Sequence, residues 1–169
     1  MYRRREDRPM PTGVDHLTVE AVVAIHDGIV AASSVTSPGV RDRGGVAFAV
    51  EGPGRPDRDH RERAAALCRY LVANHPFVDG NKRTALAAVA TGYALTGDRL
   101  DYDDDVRSLL KRIGTDDRVG IDEIAAGFRG WTVEAVDDPV PDPDRERLLA
   151  LARADRERHR AIYEALATE

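Results

Sequence analysis

The chain has 169 residues, 33% charged, 42% hydrophobic and 5% aromatic, with a formal net charge of −5. That length suits one core of closely packed helices rich in Ala, Val and Leu, and the balance disfavours an all-β fold and a globally basic surface for direct nucleic-acid binding. The single cysteine, Cys68, precludes an internal disulfide, and no apolar run reaches the about 20 residues of a membrane span, so a cytoplasmic protein without membrane attachment is expected.

Residues 1–13 lack apolar periodicity and read as a flexible N-terminal tail. From Leu17 the positions Leu17, Ala21, Ile25, Ile29 and Ala32 fall at helical spacing, with Thr18 as cap; His26 on this face reads as a core histidine. Residues 36–59 hold Gly39, Gly44, Gly45, Gly52, Pro53 and Gly54 around the alternating run Val46 to Val50, which predicts a loop carrying a small β-hairpin flap. A second core helix is predicted from about Asp59 to Asn74, with Ala64, Leu67, Cys68, Leu71 and Val72 on one face and Cys68 a buried small hydrophobe.

Asn81 to Leu95 is Ala-rich and almost uniformly apolar beyond Thr84, which predicts a central helix buried on most sides. Amphipathic helices follow over Asp103–Ile113 and Asp122–Trp131; Asp101, Asp103, Asp104 and Asp105 read as solvated or helix-capping charge, since no calcium loop surrounds them. Pro139, Pro141 and Pro143 make residues 136–143 a linker, and residues 144–169 resume as one charged helix whose thin apolar stripe suits docking. The domain proper then spans residues 14–135.

Between the second and central helices lies His75-Pro76-Phe77-Val78-Asp79-Gly80-Asn81-Lys82-Arg83-Thr84. Transfer from a nucleoside triphosphate needs a base, a metal-bound phosphate bridge and donors around the transferred group, and this segment has a residue for each. His75 is the candidate general base and Asp79 the candidate Mg²⁺ ligand. Gly80 can take the positive φ that turns backbone N–H groups inward, and Asn81 opens a helix whose N-terminus favours anions. Lys82 and Arg83 stand in that first turn, where cations are unfavourable unless an anion binds. Only Lys82 and Lys111 among 25 basic residues are lysines, which sets Lys82 apart from the general use of arginine.

The segment resembles the signature of the Fic/Doc (Fido) family, His-x-Phe-x-Asp/Glu-Gly/Ala-Asn-x-Arg between two core helices, at every fixed position, and the likeness extends over roughly residues 15–132. The resemblance implies a mainly α Fido bundle with a small hairpin flap, here followed by an extra C-terminal helix, that uses ATP or another nucleoside triphosphate with Mg²⁺. Adenylylating members have glycine after the motif asparagine and a second arginine three residues beyond the first; here those positions are Lys82 and Leu86, and Asn-Lys-Arg-Thr-Ala is Doc-like. Doc-type members are implied to bind ATP reversed and to phosphorylate a threonine of elongation factor Tu, which favours a toxin-type protein kinase. Gly80 stands where Doc has alanine and adenylylating members have glycine. The alternatives are adenylyl or nucleotidyl transfer to a protein Ser, Thr or Tyr, and a catalytically degenerate binding module. The Ser/Thr-x-x-x-Glu-Gly/Asn motif of self-inhibited members is missing, so an antitoxin acting in trans is the implied partner, beside a protein substrate.

Overall fold

The computed structural model describes residues 11–53 and 57–169. The described residues form eight α-helices: α1 (Val19–Ala31), α2 (Arg43–Glu51), α3 (His60–Asn74), α4 (Asn81–Leu95), α5 (Asp105–Thr115), α6 (Ile121–Trp131), α7 (Arg145–Arg158) and α8 (Arg160–Ala167). Two short strands, β1 (Arg99–Leu100) and β2 (Thr132–Val133), pair antiparallel with Arg99 opposite Val133. The expected mainly helical fold is thus present, with a small antiparallel sheet.

The bundle is organised around α4. Twelve of its fifteen residues are buried, as the apolar run implied, and α3, α1 and α7 pack on it. Its small side chains permit close approach: a Cβ on Gly92 would come within 2.4 Å of Val14 Cγ1, so the 3-10 turn Gly13–His16 lies directly against the helix. Of the expected tail, residues 1–10 lie outside the described residues, whereas Gly13 is buried within this turn. Thr18 caps α1 by accepting from the Ala21 N–H at 3.1 Å, as its sequence position suggested. Cys68 is fully buried, and burial pushes its thiol up to about 12.

Two expectations fail. The run Val46 to Val50 is helical, within α2, and forms no hairpin; the antiparallel sheet is built from other residues. Asp42 accepts from the Gly45 N–H at 3.0 Å and starts a helix, and Val46 and Ala49, three apart, are fully buried while Phe48 packs outside on Tyr70 at 4.9 Å. Alternation over five residues fits this spacing as well as a strand's, and the cap decides. The C-terminal segment is two helices, which turn at His159 (φ −114°, ψ 34°). Leu148, Ala152, Tyr163 and Leu166 join the same apolar cluster as the rest of the bundle. The proline-rich stretch lies along the end of α4, where Val140 N–H donates to the Leu95 carbonyl at 2.9 Å. No helix among the described residues is long and apolar enough to cross a membrane.

Candidate active site

The segment His75–Arg83 joins α3 to α4, and two left-handed residues shape it. His75 ends α3 at φ 48°, uncommon for a residue with a Cβ, and Gly80 begins α4 at φ 80°. Between them Phe77 is fully buried and stacks on the His26 ring, centroids 3.9 Å apart. The Asn81 side chain grips the Phe77 backbone from both sides: its Oδ1 accepts from the Phe77 N–H at 2.9 Å and its Nδ2 donates to the Phe77 carbonyl at 3.0 Å. The Asn81 side chain is therefore committed to the loop, and only its backbone is left at the first position of α4.

A second layer of support comes from residues 37–42, which run antiparallel to the loop. Arg41 and Asp42 N–H groups donate to the Pro76 carbonyl, both at 2.9 Å, Val78 N–H donates to the Gly39 carbonyl at 3.0 Å, and Val40 bridges Phe77. The Arg41 guanidinium also donates to the His75 carbonyl. His26 is buried as expected, but it does more than pack: its Nε2–H donates to the Asp79 carbonyl at 2.7 Å. Burial holds its pKa below the ordinary value, despite the opposing Asp79 hydrogen bond and the nearby Asp27 charge, so the neutral ring carries this bond. Spacing placed His26 in the core and gave no sign of the contact with Asp79, more than fifty residues away in the chain.

The charged groups lie around the start of α4. Asp79 Oδ1 accepts from the Gly80 N–H at 2.8 Å and Oδ2 from the Ser37 N–H at 3.2 Å, while its side chain stays 41% exposed. Arg83 is 4% exposed; it donates to Thr36 Oγ1 at 2.8 Å and stands 3.8 Å from Asp79. Burial lowers its pKa and the Asp79 charge opposes that shift. No side chain caps the first turn of α4, so its leading N–H groups stay available. Lys82 Nζ is 3.6 Å from Glu169 Oε2, a carboxylate that also takes Arg107 Nη2 at 2.7 Å. Thr36, Ser37, Arg107 and Glu169 are thus site neighbours that lie too far along the chain for any local pattern to reveal.

His75, Asp79, Gly80, Asn81, Lys82 and Arg83, the six residues singled out from the sequence, all line one pocket of about 230 Å³, closed on its far side by Leu166 and Glu169. His75 is exposed at the mouth. The pocket thus combines an accessible imidazole, a half-exposed carboxylate, uncapped helix amides and two cations. Among the described residues no group of three metal-ligating side chains exists. A single carboxylate beside an anion site does fit Mg²⁺, which keeps several waters and takes its remaining ligands from substrate phosphates.

Residues 16–91 match the Fic/DOC family model. A toxin named Doc from Mycolicibacterium smegmatis (strain ATCC 700084 / mc(2)155) is 42% identical over 77 residues, which are 44% of this chain and 58% of that protein. The chain therefore matches less than two thirds of this relative's length. No solved structure matches. The match to the Fic/DOC family model thus runs from His16 through the whole loop into α4.

Proposed function

We propose that the chain is a Doc-like toxin that transfers the γ-phosphate of ATP to a protein hydroxyl, that a threonine of elongation factor Tu is a candidate acceptor, and that an antitoxin protein neutralises it in trans. The observation that carries this reading is the uncapped start of α4, with Lys82 and Arg83 in its first turn, in one pocket with an exposed His75. Helix amides and the two cations hold the phosphate chain and offset charge in the transition state. His75 takes the proton of the attacking hydroxyl as its oxygen bonds to the γ-phosphorus and the bond to the ADP oxygen breaks. Asp79 is the residue that would hold Mg²⁺, and the ion, when bound, would supply further neutralisation of phosphate charge. An incoming anion has to displace or share the Glu169 carboxylate at Lys82.

Phosphoryl rather than nucleotidyl transfer is favoured by two positions. Lys82 adds a cation directly after Asn81, and Leu86, where adenylylating members carry their second arginine, is fully buried in the core and turned away from the pocket. One feature favours adenylyl transfer as the second reading: Gly80, the residue shared with that branch, uses its freedom at φ 80°. ATP labelled at γ or at α, incubated with the chain and acceptor protein, decides between them. Transfer of γ-label alone is expected, and transfer of α-label alone overturns the kinase reading. His75→Ala should abolish whichever transfer is seen; persistence of transfer in that variant would remove His75 as the base.

A further inference from the structure

The pocket at the loop is too small for the whole donor. Sites that enclose a ligand of nucleotide size run about 300–1,000 Å³, whereas this one measures about 230 Å³. Its inner wall is Arg83, and Arg83 also lines a second cavity, of about 590 Å³, between the end of α1, residues 33–35 and the α7–α8 pair. Most of that cavity's far wall comes from residues beyond 91, outside the segment matched to the family.

Its chemistry is mixed in a particular way. Arg156 and Arg160 bring two further guanidinium groups to the wall; neither has a carboxylate within 4 Å among the described residues, and Arg156 Nη1 lies over α1 near Gly28. Ala32 and Val35, exposed above the buried Ile29 and Tyr163, give an apolar face, and the exposed Glu157 and Glu164 offer acceptors at the rim. Unpaired arginines beside an apolar wall with nearby acceptors suit a ligand that joins an anionic chain to a flat, hydrogen-bond-donating group. A nucleoside phosphate has that form.

We infer that the α1/α7–α8 cavity is the subsite for the nucleoside end of the donor, with the phosphate chain passing over Arg83 to reach the α4 N-terminus. The inference rests on the proposed function for its phosphate end, and it adds the residues that would hold the other end. Arg156 and Arg160 take the phosphates nearest the ribose, Ala32 and Val35 carry the base, and Glu157 and Glu164 accept from amino or hydroxyl donors.

Binding of ATP and of inorganic tripolyphosphate to the full chain, followed by calorimetry, tests the two ends separately. Ser34→Trp and Ala32→Trp place bulk at the exposed lip of the cavity and remove no recorded hydrogen bond, with circular dichroism as the check on folding; two sites guard against one variant misfolding. Either folded variant is expected to weaken ATP roughly tenfold or more, about 1.4 kcal/mol, with tripolyphosphate unchanged. Arg160→Ala should weaken both probes, since both present a phosphate to it; if it changes neither, the arginine is no part of the subsite. If ATP binds both tryptophan variants as it binds the parent chain, the subsite is overturned while the phosphate loop stands. If Lys82→Ala changes the affinity for neither probe, the phosphate loop itself is wrong. Failure of the parent chain to bind either probe would overturn both.

Discussion

Two clusters of His and Asp, at the α3–α4 loop and at the α7–α8 turn, use the same side chains to opposite ends. At the turn, Asp155 is 3% exposed and fully engaged: its Oδ2 accepts from Tyr102 at 2.6 Å and Tyr163 at 2.7 Å, and its Oδ1 faces His159 Nδ1 at 3.1 Å. His159 Nε2 reaches Asp101 at 3.2 Å, and its ring stacks on Tyr102 with centroids 3.8 Å apart. At the loop, Asp79 is half open to solvent, His75 is exposed, and Lys82 has one loose partner. Buried charges that satisfy one another fix a conformation, whereas charges left open at a helix N-terminus await a partner. Residue type alone would not separate the two clusters; burial and hydrogen-bond closure do.

The largest expected effect lies at the turn. Asp155→Ala strands two buried hydroxyls and an imidazole, and should cost about 3–5 kcal/mol in urea denaturation; a loss below 1 kcal/mol would show that the cluster contributes little.

A gentler probe of the same cluster is pH. Burial alone would lower the His159 pKa, but the hydrogen bonds and charges of Asp155 and Asp101 outweigh it and raise it above the ordinary 6.5. A raised folded-state value means that this stabilisation is complete below pH 6.5 and is lost as pH climbs through the folded value. Thermal melts of the parent and of His159→Gln should therefore differ most in mildly acidic buffer and converge toward alkaline pH. A gap that widens with pH would reverse the sign and exclude a protonated His159.

Smaller effects belong to the loop. Gly80→Ala meets only ordinary contacts at 3.6 Å, so its cost is the left-handed backbone alone, about 1–2 kcal/mol. A stability unchanged by this substitution would mean that the backbone there relaxes. Smallest of all in stability is Lys82→Ala, which gives up a part-exposed ion pair and should shift unfolding by under about 1 kcal/mol; tripolyphosphate affinity should nevertheless fall. Glu169→Gln should tighten tripolyphosphate binding, since it removes the carboxylate beside Lys82. Weaker binding in that variant would make Glu169 a support of the site.

The parts legible in the sequence were those set by local chemistry. Periodicity located α1, α3 and α4, Thr18 announced its cap, and the segment from His75 to Arg83 converged on one pocket because nine consecutive residues cannot spread far. The failures were competitions between local patterns or long-range events. Val46 to Val50 satisfied two periods at once, and Asp42 chose the helical one. The turn at His159 depends on partners at Asp101 and Tyr102, which no stretch of α7 contains. Likewise, Asn81 holds Phe77, a contact visible only once the loop is closed.

The placement of Leu166 and Glu169 on the pocket wall has a kinetic consequence. The α3–α4 loop is a local structure, closed between two successive helices, and can form early. Its pocket is complete only after the chain has passed through α5 and α6, crossed the end of α4 and reversed at His159 to bring α8 back. During refolding, protection of the α3–α4 amides from hydrogen exchange should therefore precede protection of the α8 amides, and competence to bind should follow the slower event.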